Sequence, residues 1–254
     1  MTRRLVAALA CRNQGSRLYG KPLQNLDIER GTRILDHILD CLGSVECIDE
    51  VVLGIAAGVE NKVFRRVAEE KGIRYVVGDE VDVLARLIAC GQLAGATDIF
   101  RMTSESPFLY YEAVEEAWDQ YVREGADALF LDDLIDGCGF EILSLKSLET
   151  SHAKGESKHR SELCTLYIRE HHEDFKTLKP APPPDLIRRD LRLTVDYPED
   201  LAICRAVYGV FRAQAPRIPV SEIVRFLDAN PKLIDMISPY AEEGYKSMFV
   251  WGRT

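Results

Sequence analysis

The chain of 254 residues is long enough to bury one complete core, and α/β folds of this size often form a single domain. Its net charge of −9 excludes a general nucleic-acid binder and a membrane-surface binder, because both need broad positive fields. Its seven dispersed cysteines exclude a disulfide framework or a zinc ribbon and favour a reducing, cytoplasmic compartment.

The first predicted element follows Arg3 and Arg4. The apolar run at residues 5–10 is shorter than the roughly 7–15 residues of a secretory signal core, and it leads into a polar loop that contains glycine. We therefore predict a buried β-strand at residues 5–11. No later apolar run of the sequence approaches the roughly 18 residues of a membrane span.

Short apolar runs then alternate with longer amphipathic stretches. The alternation predicts strands at residues 51–55, 74–77, 98–102 and 128–131, and helices at 33–42, 60–71, 81–93 and 111–123. Strands that alternate with helices of this length predict βαβ units and a mostly parallel sheet covered on both faces. Ligands of such sheets bind beyond the carboxyl ends of the strands.

The alternation breaks after Asp133. Residues 136–185 contain a predicted strand at 137–145, helices at 146–152 and 161–171, and a stiff proline segment at 180–184. We predict that 136–185 is an inserted arm on a single domain that spans residues 1–254. A strand at 192–195 and helices at 199–213, 220–227 and 232–237 complete the prediction.

The loop at residues 11–23 directly follows the first strand. It contains two glycines and the cations Arg12, Arg17 and Lys21 within an acidic protein. Glycines let backbone N–H groups approach an anion, and nearby cations neutralise it, as a triphosphate requires. The pattern is neither G-x-G-x-x-G nor a Walker A loop, which disfavours a dinucleotide fold and a P-loop ATPase. A solvated basic turn is the alternative.

The same loop resembles the R-x-x-S-T-R-L-P-G-K-x-L signature of the cytidylyltransferases. The matching residues are Arg12, Gly15-Ser16-Arg17-Leu18 and Gly20-Lys21-Pro22-Leu23. This group includes the CMP-sugar synthetases for acidic sugars and the spore-coat polysaccharide (SpsF-type) nucleotidyltransferases. Later stretches resemble SpsF-type segments in the same order, at residues 78–86, 102–107, 139–149 and 192–201. The resemblance covers most of the chain and is weakest in the arm and the last few dozen residues.

The resemblance implies a three-layer α/β/α sandwich with a mostly parallel, Rossmann-like sheet of the nucleotide-diphospho-sugar transferase type. It also implies a homodimer, with the arm at 136–185 as an acceptor-binding and dimer contact surface. Two residues, Arg12 and Lys21, are the implied catalytic cations. The implied nucleotide-binding residues are Arg12, Gly15, Ser16, Arg17, Lys21, Asp82 and Arg86.

Glu105 and Asp196 each follow a predicted strand, so both should lie at the same sheet edge as the basic loop. Two carboxylates there can hold Mg²⁺, which usually completes its shell with water and substrate phosphates. In the resembling family the matching positions hold the metal. Asp196 could also be the N-cap of the helix that begins near Pro198, whereas Asp200 is expected to complement the dipole of that helix.

Asp82 and Arg86 lie one turn apart on a predicted helix, so an i,i+4 ion pair is the alternative to their nucleotide role. Glu141 and Glu162 are the candidate acceptor-binding residues. Glu141 could also be an ordinary strand carboxylate, and Glu162 lies where the family has its R-E-H-V-T acceptor segment. The arginine and histidine of that segment are absent here.

The leading prediction is Mg²⁺-dependent transfer of CMP from CTP to a sugar, sugar acid or sugar phosphate, with release of pyrophosphate, for glycan biosynthesis. GTP in place of CTP remains open because no base-reading residue is identified. Glycosyl transfer from a nucleotide-sugar is a second hypothesis, with Asp132-Asp133 as its metal pair, although a strand-ending turn also explains that pair. A non-catalytic nucleotide-binding or scaffolding protein is a third, because the family's T-G-D becomes Thr103-Ser104-Glu105 and its acceptor segment is altered near Leu163.

Overall fold

The structure, a computed structural model, describes residues 3–15 and 17–247, with side chains described up to residue 241. The strands are β1 (Leu5–Cys11), β2 (Asn25–Asp27), β3 (Thr32–Arg33), β4 (Glu50–Ala56), β5 (Arg74–Gly78), β6 (Asp98–Arg101), β7 (Ala128–Phe130), β8 (Glu141–Ser144) and β9 (Thr177–Leu178). The helices are α1 (Ile34–Leu42), α2 (Lys62–Lys71), α3 (Val83–Ala94), α4 (Val114–Glu124), α5 (Leu145–Lys154), α6 (Leu166–Glu170), α7 (Pro198–Phe211), α8 (Val220–Asp228) and α9 (Pro231–Ser247).

Seven of these strands form one sheet in the order β5-β4-β1-β6-β8-β7-β9, and β2 and β3 form a separate antiparallel pair. Strand β1 is parallel to β4 and β6, β4 is parallel to β5, and β7 is parallel to β9. Strand β8 is antiparallel to both of its neighbours. The predicted mostly parallel sheet is therefore confirmed.

Side chains of β1 alternate between the two faces of the sheet, as the period of a strand requires. Leu5, Ala7 and Leu9 belong to an apolar cluster that includes residues of α1, α4 and α7. Val6 and Ala8 belong to a second cluster that includes residues of α3, α5 and α6. Helices thus cover both faces, and the predicted α/β/α sandwich is confirmed. None of the described helices combines the length and apolar composition that a bilayer crossing requires.

The segment 136–185 contributes to the central sheet. Strand β8 lies between β6 and β7, strand β9 lies at the edge, and α5 packs against α3. The segment is therefore built partly into the main domain, and its roles in acceptor binding and dimer contact stay predictions.

The predicted strand at 192–195 is wrong. This segment is extended, but its one ladder contact is an isolated bridge between Arg192 and Asp136. Its backbone forms hydrogen bonds with loops instead. Leu193 N–H donates to the Asp136 carbonyl (2.7 Å), and Val195 N–H donates to the Glu105 carbonyl (3.1 Å). Strands β2, β3 and β9 were not predicted, because each is two or three residues long and none lies in an apolar run like that around β7.

Gly137 allows this segment to approach the loop after β7. Its φ is 94°, and a Cβ atom added there would lie 2.5 Å from the backbone nitrogen of Thr194. We expect Gly137→Ala to lower the free energy of unfolding by about 2–3 kcal/mol, because strained backbone and overlap act together. Gly72 has a similar positive φ of 65° with open space around it, so Gly72→Ala should cost only about 1 kcal/mol. Urea unfolding measures both, and equal losses would contradict the overlap argument.

Candidate active site

A cleft of about 1290 Å³ opens at the carboxyl ends of β1 and β6, where the parallel sheet was expected to bind its ligand. Nine of the sequence-predicted site residues line it, namely Arg12, Gly15, Arg17, Lys21, Arg86, Glu105, Glu141, Glu162 and Asp196. Asp82 does not line it, and Ser16 lies outside the described residues. The structure thus brings residues from four distant parts of the chain together, while their individual roles stay predictions.

The loop after β1 is folded back on itself. Gly20 has a φ of 61°, and its N–H donates to the Asn13 carbonyl over 3.0 Å. The side-chain oxygen of Asn61, a buried residue, accepts the Asn13 N–H over 2.8 Å and fixes the start of the loop. A Cβ atom on Gly15 would overlap the Leu18 carbonyl oxygen. This folding presents Arg17 and Lys21 to the cleft.

Asp196 is the carboxylate that the loop cations contact. Its Oδ1 accepts hydrogen bonds from Lys21 (2.6 Å) and Arg17 (3.0 Å), and its Oδ2 accepts one from Arg192 (2.7 Å). Burial raises the pKa of Asp196, but Lys21, Arg17 and Arg192 outweigh burial and hold that pKa below its ordinary value. Asp196 is therefore ionised at neutral pH.

Glu105 faces the same region. Its carboxylate lies 3.3 Å from the Ser104 hydroxyl, and among the described residues it forms no ion pair. Burial raises the pKa of Glu105, Lys21 opposes that rise, and the charge of Asp196 adds to it. Glu105 is partly buried, and a carboxylate that lies near a second carboxylate without an ion pair of its own among the described residues is a favourable place for a metal ion.

The donor set fits Mg²⁺ with substrate ligands. Within residues 3–15 and 17–247, no group of three or more His, Cys, Asp or Glu side chains is arranged as a metal site. Mg²⁺ is commonly bound by only one or two carboxylates, with water and phosphate oxygens as its other ligands. Glu105 and Asp196 would be those carboxylates.

The side chain that caps the N-terminus of α7 is Asp200, and not Asp196 as the sequence allowed. Its Oδ2 accepts the N–H groups of Asp196 and Tyr197, each over 2.9 Å, in the first turn of the helix. The expected dipole-complementing role of Asp200 is in keeping with this position. The Asp196 side chain takes no part in the cap and remains directed to the cations.

Glu141 lies in the other half of the cleft and is almost completely buried, with 6% of its surface exposed. It accepts hydrogen bonds from Arg101 (2.9 Å), Arg169 (2.7 Å) and Thr165 (3.0 Å). Burial raises the pKa of Glu141, but the two arginines outweigh burial and hold it at about 2. Because these partners occupy its oxygens, Glu141 orients the arginines rather than offering a free carboxylate to an acceptor.

Glu162 lies at the rim, where its carboxylate pairs with Arg12 and its carbonyl accepts from Arg101 over 3.2 Å. It therefore connects the loop after β1 to the half of the cleft around Glu141. The pair is exposed, so it is expected to add little stability.

Asp82 and Arg86 do not form the alternative i,i+4 ion pair. Asp82 is the N-cap of α3, since its Oδ1 accepts the Ala85 N–H (2.8 Å), and its Oδ2 pairs with His152 (2.8 Å). Arg86 is buried below the loop and donates to the Gly54 and Cys11 carbonyls over 2.8 and 3.3 Å. Arg86 therefore braces the carboxyl ends of β1 and β4 and contributes to the cleft wall.

Asp132 and Asp133 form a turn after β7. Asp132 accepts two hydrogen bonds from Arg169 (2.7 and 3.1 Å), and Asp133 has a φ of 60°. A bidentate arginine occupies both oxygens of Asp132. This arrangement disfavours the pair as the metal site that the glycosyltransferase hypothesis requires.

Sequence reasoning missed several charged residues of this region. Arg101 ends β6, so the strand-end argument used for Glu105 could have found it. Asp136 lines the cleft, and burial together with nearby carboxylates raises its pKa to about 6 against the effect of Arg192. Arg169 lies within a helix, and no local pattern marks its contacts with Asp132 and Glu141.

No family model matches the chain, but two relatives cover nearly all of it. An uncharacterised protein of Methanocaldococcus jannaschii is 24% identical over 246 residues, which are 96% of this chain and 99% of that protein. The spore coat polysaccharide biosynthesis protein SpsF of Bacillus subtilis is 24% identical over 225 residues, 88% of this chain and 93% of that protein.

Solved structures share the fold. A cytidylyltransferase from Leptospira borgpetersenii has a TM-score of 0.81 at 19% identity, covering 92% of this chain and 97% of that one. A CMP:2-keto-3-deoxy-manno-octonic acid synthetase complexed with CTP has a TM-score of 0.60 at 14% identity, covering 82% and 99%. A Mycobacterium tuberculosis protein in complex with manganese has a TM-score of 0.55 at 18% identity, covering 81% and 99%.

The chain has the fold of solved nucleotidyltransferases, and its cleft opens at the sheet edge where such a fold is expected to bind its ligand. Within that class, the resemblance to the cytidylyltransferases that the motifs indicated is confirmed. The sequence similarity to SpsF extends over most of both chains, and the fold is that of a solved cytidylyltransferase.

Proposed function

We propose that this chain is a Mg²⁺-dependent nucleotidyltransferase that transfers CMP from CTP to a sugar, sugar acid or sugar phosphate. One observation carries the proposal: Asp196 contacts Lys21 and Arg17 of the phosphate loop, and Glu105 lies beside it in the same cleft. Cations suited to a triphosphate and carboxylates suited to its metal are therefore adjacent.

In this reaction an acceptor oxygen forms a bond to the α-phosphorus while the bond from that phosphorus to the bridging oxygen breaks. Pyrophosphate leaves, and the acceptor proton passes to solvent. Arg17 and Lys21 would exchange Asp196 for phosphate oxygens and neutralise the leaving charge. Arg12, at the rim beside Glu162, would contact the nucleotide from the acceptor side.

Bound between Glu105 and Asp196, Mg²⁺ would supply charge neutralisation at the phosphates and help to orient the α-phosphate. Two findings support this proposal. The carboxylates fit a metal that shares its shell with substrate, and a protein of similar fold was solved with manganese.

The half of the cleft around Glu141 would receive the acceptor. Arg101 and Arg169 are held there by Glu141, and an acceptor hydroxyl or anionic group would meet arginine donors. A role in glycan biosynthesis is supported by the name of the SpsF relative. The alternative nucleotide is GTP. The proposal also includes a homodimer with contacts from residues 136–185 and a cytoplasmic location.

The test is pyrophosphate release from each of the four common nucleoside triphosphates, with Mg²⁺ and a panel of sugars, sugar acids and sugar phosphates. We expect release with CTP and one acceptor class, and loss of release when EDTA removes the metal. Release with GTP instead of CTP would change the proposed nucleotide but leave the proposed reaction class unchanged. Nucleotide binding without turnover under every condition would contradict the proposal and support a non-catalytic homologue.

A further inference from the structure

Arg192 is a buried arginine, 1% exposed, that lies behind the wall of the cleft and does not line it. It is four residues before Asp196 on the extended segment that precedes α7. Burying a guanidinium is unfavourable unless charges and hydrogen bonds compensate it. The contacts of Arg192 show where that compensation comes from.

Three carboxylates surround this guanidinium. Nη2 donates to Oδ2 of Asp196 over 2.7 Å, Nε forms an ion pair with Oδ1 of Asp200 over 2.9 Å, and Nη1 lies 3.6 Å from Oδ2 of Asp136. Nη1 also donates to the Tyr240 carbonyl of α9 over 3.0 Å. The guanidinium is therefore held on several sides by groups of the folded core.

The two carboxylate oxygens of Asp196 have different partners. Oδ2 is held from behind by Arg192, and Oδ1 faces Lys21 and Arg17. Lys21 and Arg17 are the cations that a triphosphate would attract, so their hold on Asp196 would weaken when the nucleotide binds. Arg192 is too deeply buried to reach the nucleotide, and its contact with Asp196 would remain.

Arg192 also acts on the backbone of Asp196. The Asp200 carboxylate that pairs with Arg192 accepts the backbone N–H of Asp196 over 2.9 Å. One guanidinium thus fixes both the side chain of Asp196 and the carboxylate that positions its main chain.

We propose that Arg192 is a positioning residue that holds the Asp196 carboxylate in the orientation needed by the metal and the nucleotide phosphates. This inference rests on the proposed function. It assigns Arg192 no contact with substrate, so its loss should alter metal binding and turnover more than nucleotide affinity.

Two substitutions and one control test this role. Arg192→Gln removes the charge, and Arg192→Lys retains the charge without the planar fork that can reach two carboxylates. Arg188 provides the control, because it lies on the same segment, does not itself line the cleft, and pairs with Asp228 (2.8 Å) and with the lining residue Asp190 (2.7 Å) instead of Asp196. Arg188→Gln therefore removes comparable ion pairs without touching Asp196.

The first measurement is the affinity for Mn²⁺ in the presence of α,β-methylene CTP. Electron paramagnetic resonance detects the bound metal. Loss of a group that orients a metal ligand commonly weakens metal binding by about 10–100-fold, and we expect this for Arg192→Gln. Arg192→Lys should fall between Arg192→Gln and the wild type, and Arg188→Gln should match the wild type. This measurement needs no turnover.

The second measurement is steady-state pyrophosphate release. We expect kcat of Arg192→Gln to fall by about 10–100-fold. The KM for CTP should stay near the wild-type value, because Arg17 and Lys21 are intact. A purely structural role would instead reduce the folded fraction and leave the Mn²⁺ affinity of the folded protein unchanged.

Wild-type Mn²⁺ affinity and kcat in the Arg192 variants would overturn the inference. If Arg192→Gln does not fold, Arg192→Lys decides by the same two measurements. If the wild-type protein releases no pyrophosphate from any nucleotide, the proposed function fails, and the Mn²⁺ titration still decides the role of Arg192. If the wild type is active and the variants equal it, the role of Arg192 fails alone.

Discussion

Asp196→Asn should lower the rate of pyrophosphate release by on the order of 10³-fold, as losses of one preorganised transition-state contact do. Asp196 contacts Arg17 and Lys21, two of the three loop cations, and is one of the two proposed metal ligands. Asparagine has the same shape but carries no charge, so it is a poor Mg²⁺ ligand. Arg192 would keep Asp200 and Asp136 as partners, and the fold should persist.

The measurements for this variant are single-turnover pyrophosphate release and thermal unfolding followed by circular dichroism. Asp228→Asn is the control, because Asp228 is exposed, pairs with Arg188 over 2.8 Å and does not line the cleft. We expect wild-type rates from this control. Full activity in Asp196→Asn would refute the metal assignment, whatever its stability.

Glu141→Ala should lower the free energy of unfolding by about 3–5 kcal/mol, because it leaves two buried arginines without their shared carboxylate. Arg101 and Arg169 are mostly buried, and Glu141 lies between them. Asp132 would still pair with Arg169, whereas among the described ion pairs Arg101 would keep none. Urea unfolding at neutral pH measures the loss.

The pH dependence of this stabilisation has a definite sign. The pKa of Glu141 is about 2 in the folded protein, below its ordinary value of 4.5. The stabilisation is therefore complete above about pH 4.5 and is lost as the pH falls toward about 2. The difference in unfolding free energy between the wild type and Glu141→Gln should be largest above pH 4.5 and should narrow below it.

Glu149→Ala is the control for the Glu141 variants. Glu149 is exposed on α5, where it accepts a hydrogen bond from Gln92 over 3.0 Å. We expect its effect to stay within about 0.5 kcal/mol, as surface substitutions usually do. Equal losses for Glu141→Ala and Glu149→Ala would show that the buried network contributes no specific stability.

The sequence pattern predicted those parts of the fold that are determined by residues close together in the chain. The bounds predicted for β1 agree with the structure, because a strand buried on both faces is a continuous apolar run bounded by polar residues. The loop after β1 and Glu105 were located because strand ends share one edge of a parallel sheet. Asp196 lies in the same cleft, although the strand predicted before it does not form.

The remaining parts depend on contacts between distant residues. Arg169 meets Asp132 and Glu141 across 37 and 28 positions of sequence, and no spacing rule reaches so far. The segment at 192–195 has the apolar content of a strand but bonds to loops, since Gly137 lets it pass beside the turn after β7. Asp82 was assigned by its place in a motif, whereas its helix N-cap position directs its carboxylate to Ala85 and His152.

The reversed strand β8 has a consequence for the order in which the molecule folds. Strands β6 and β7 are consecutive in the chain but do not pair, because β8 lies between them. Strand β7 can therefore join the sheet only after residues 141–144 have entered it. In that step Arg101 and Glu141 become cross-strand partners. Strands β1, β4, β5 and β6 need no such insertion. We therefore expect the half of the cleft beside the loop after β1 to assemble early and the half around Glu141 to form in the slower, long-range closure.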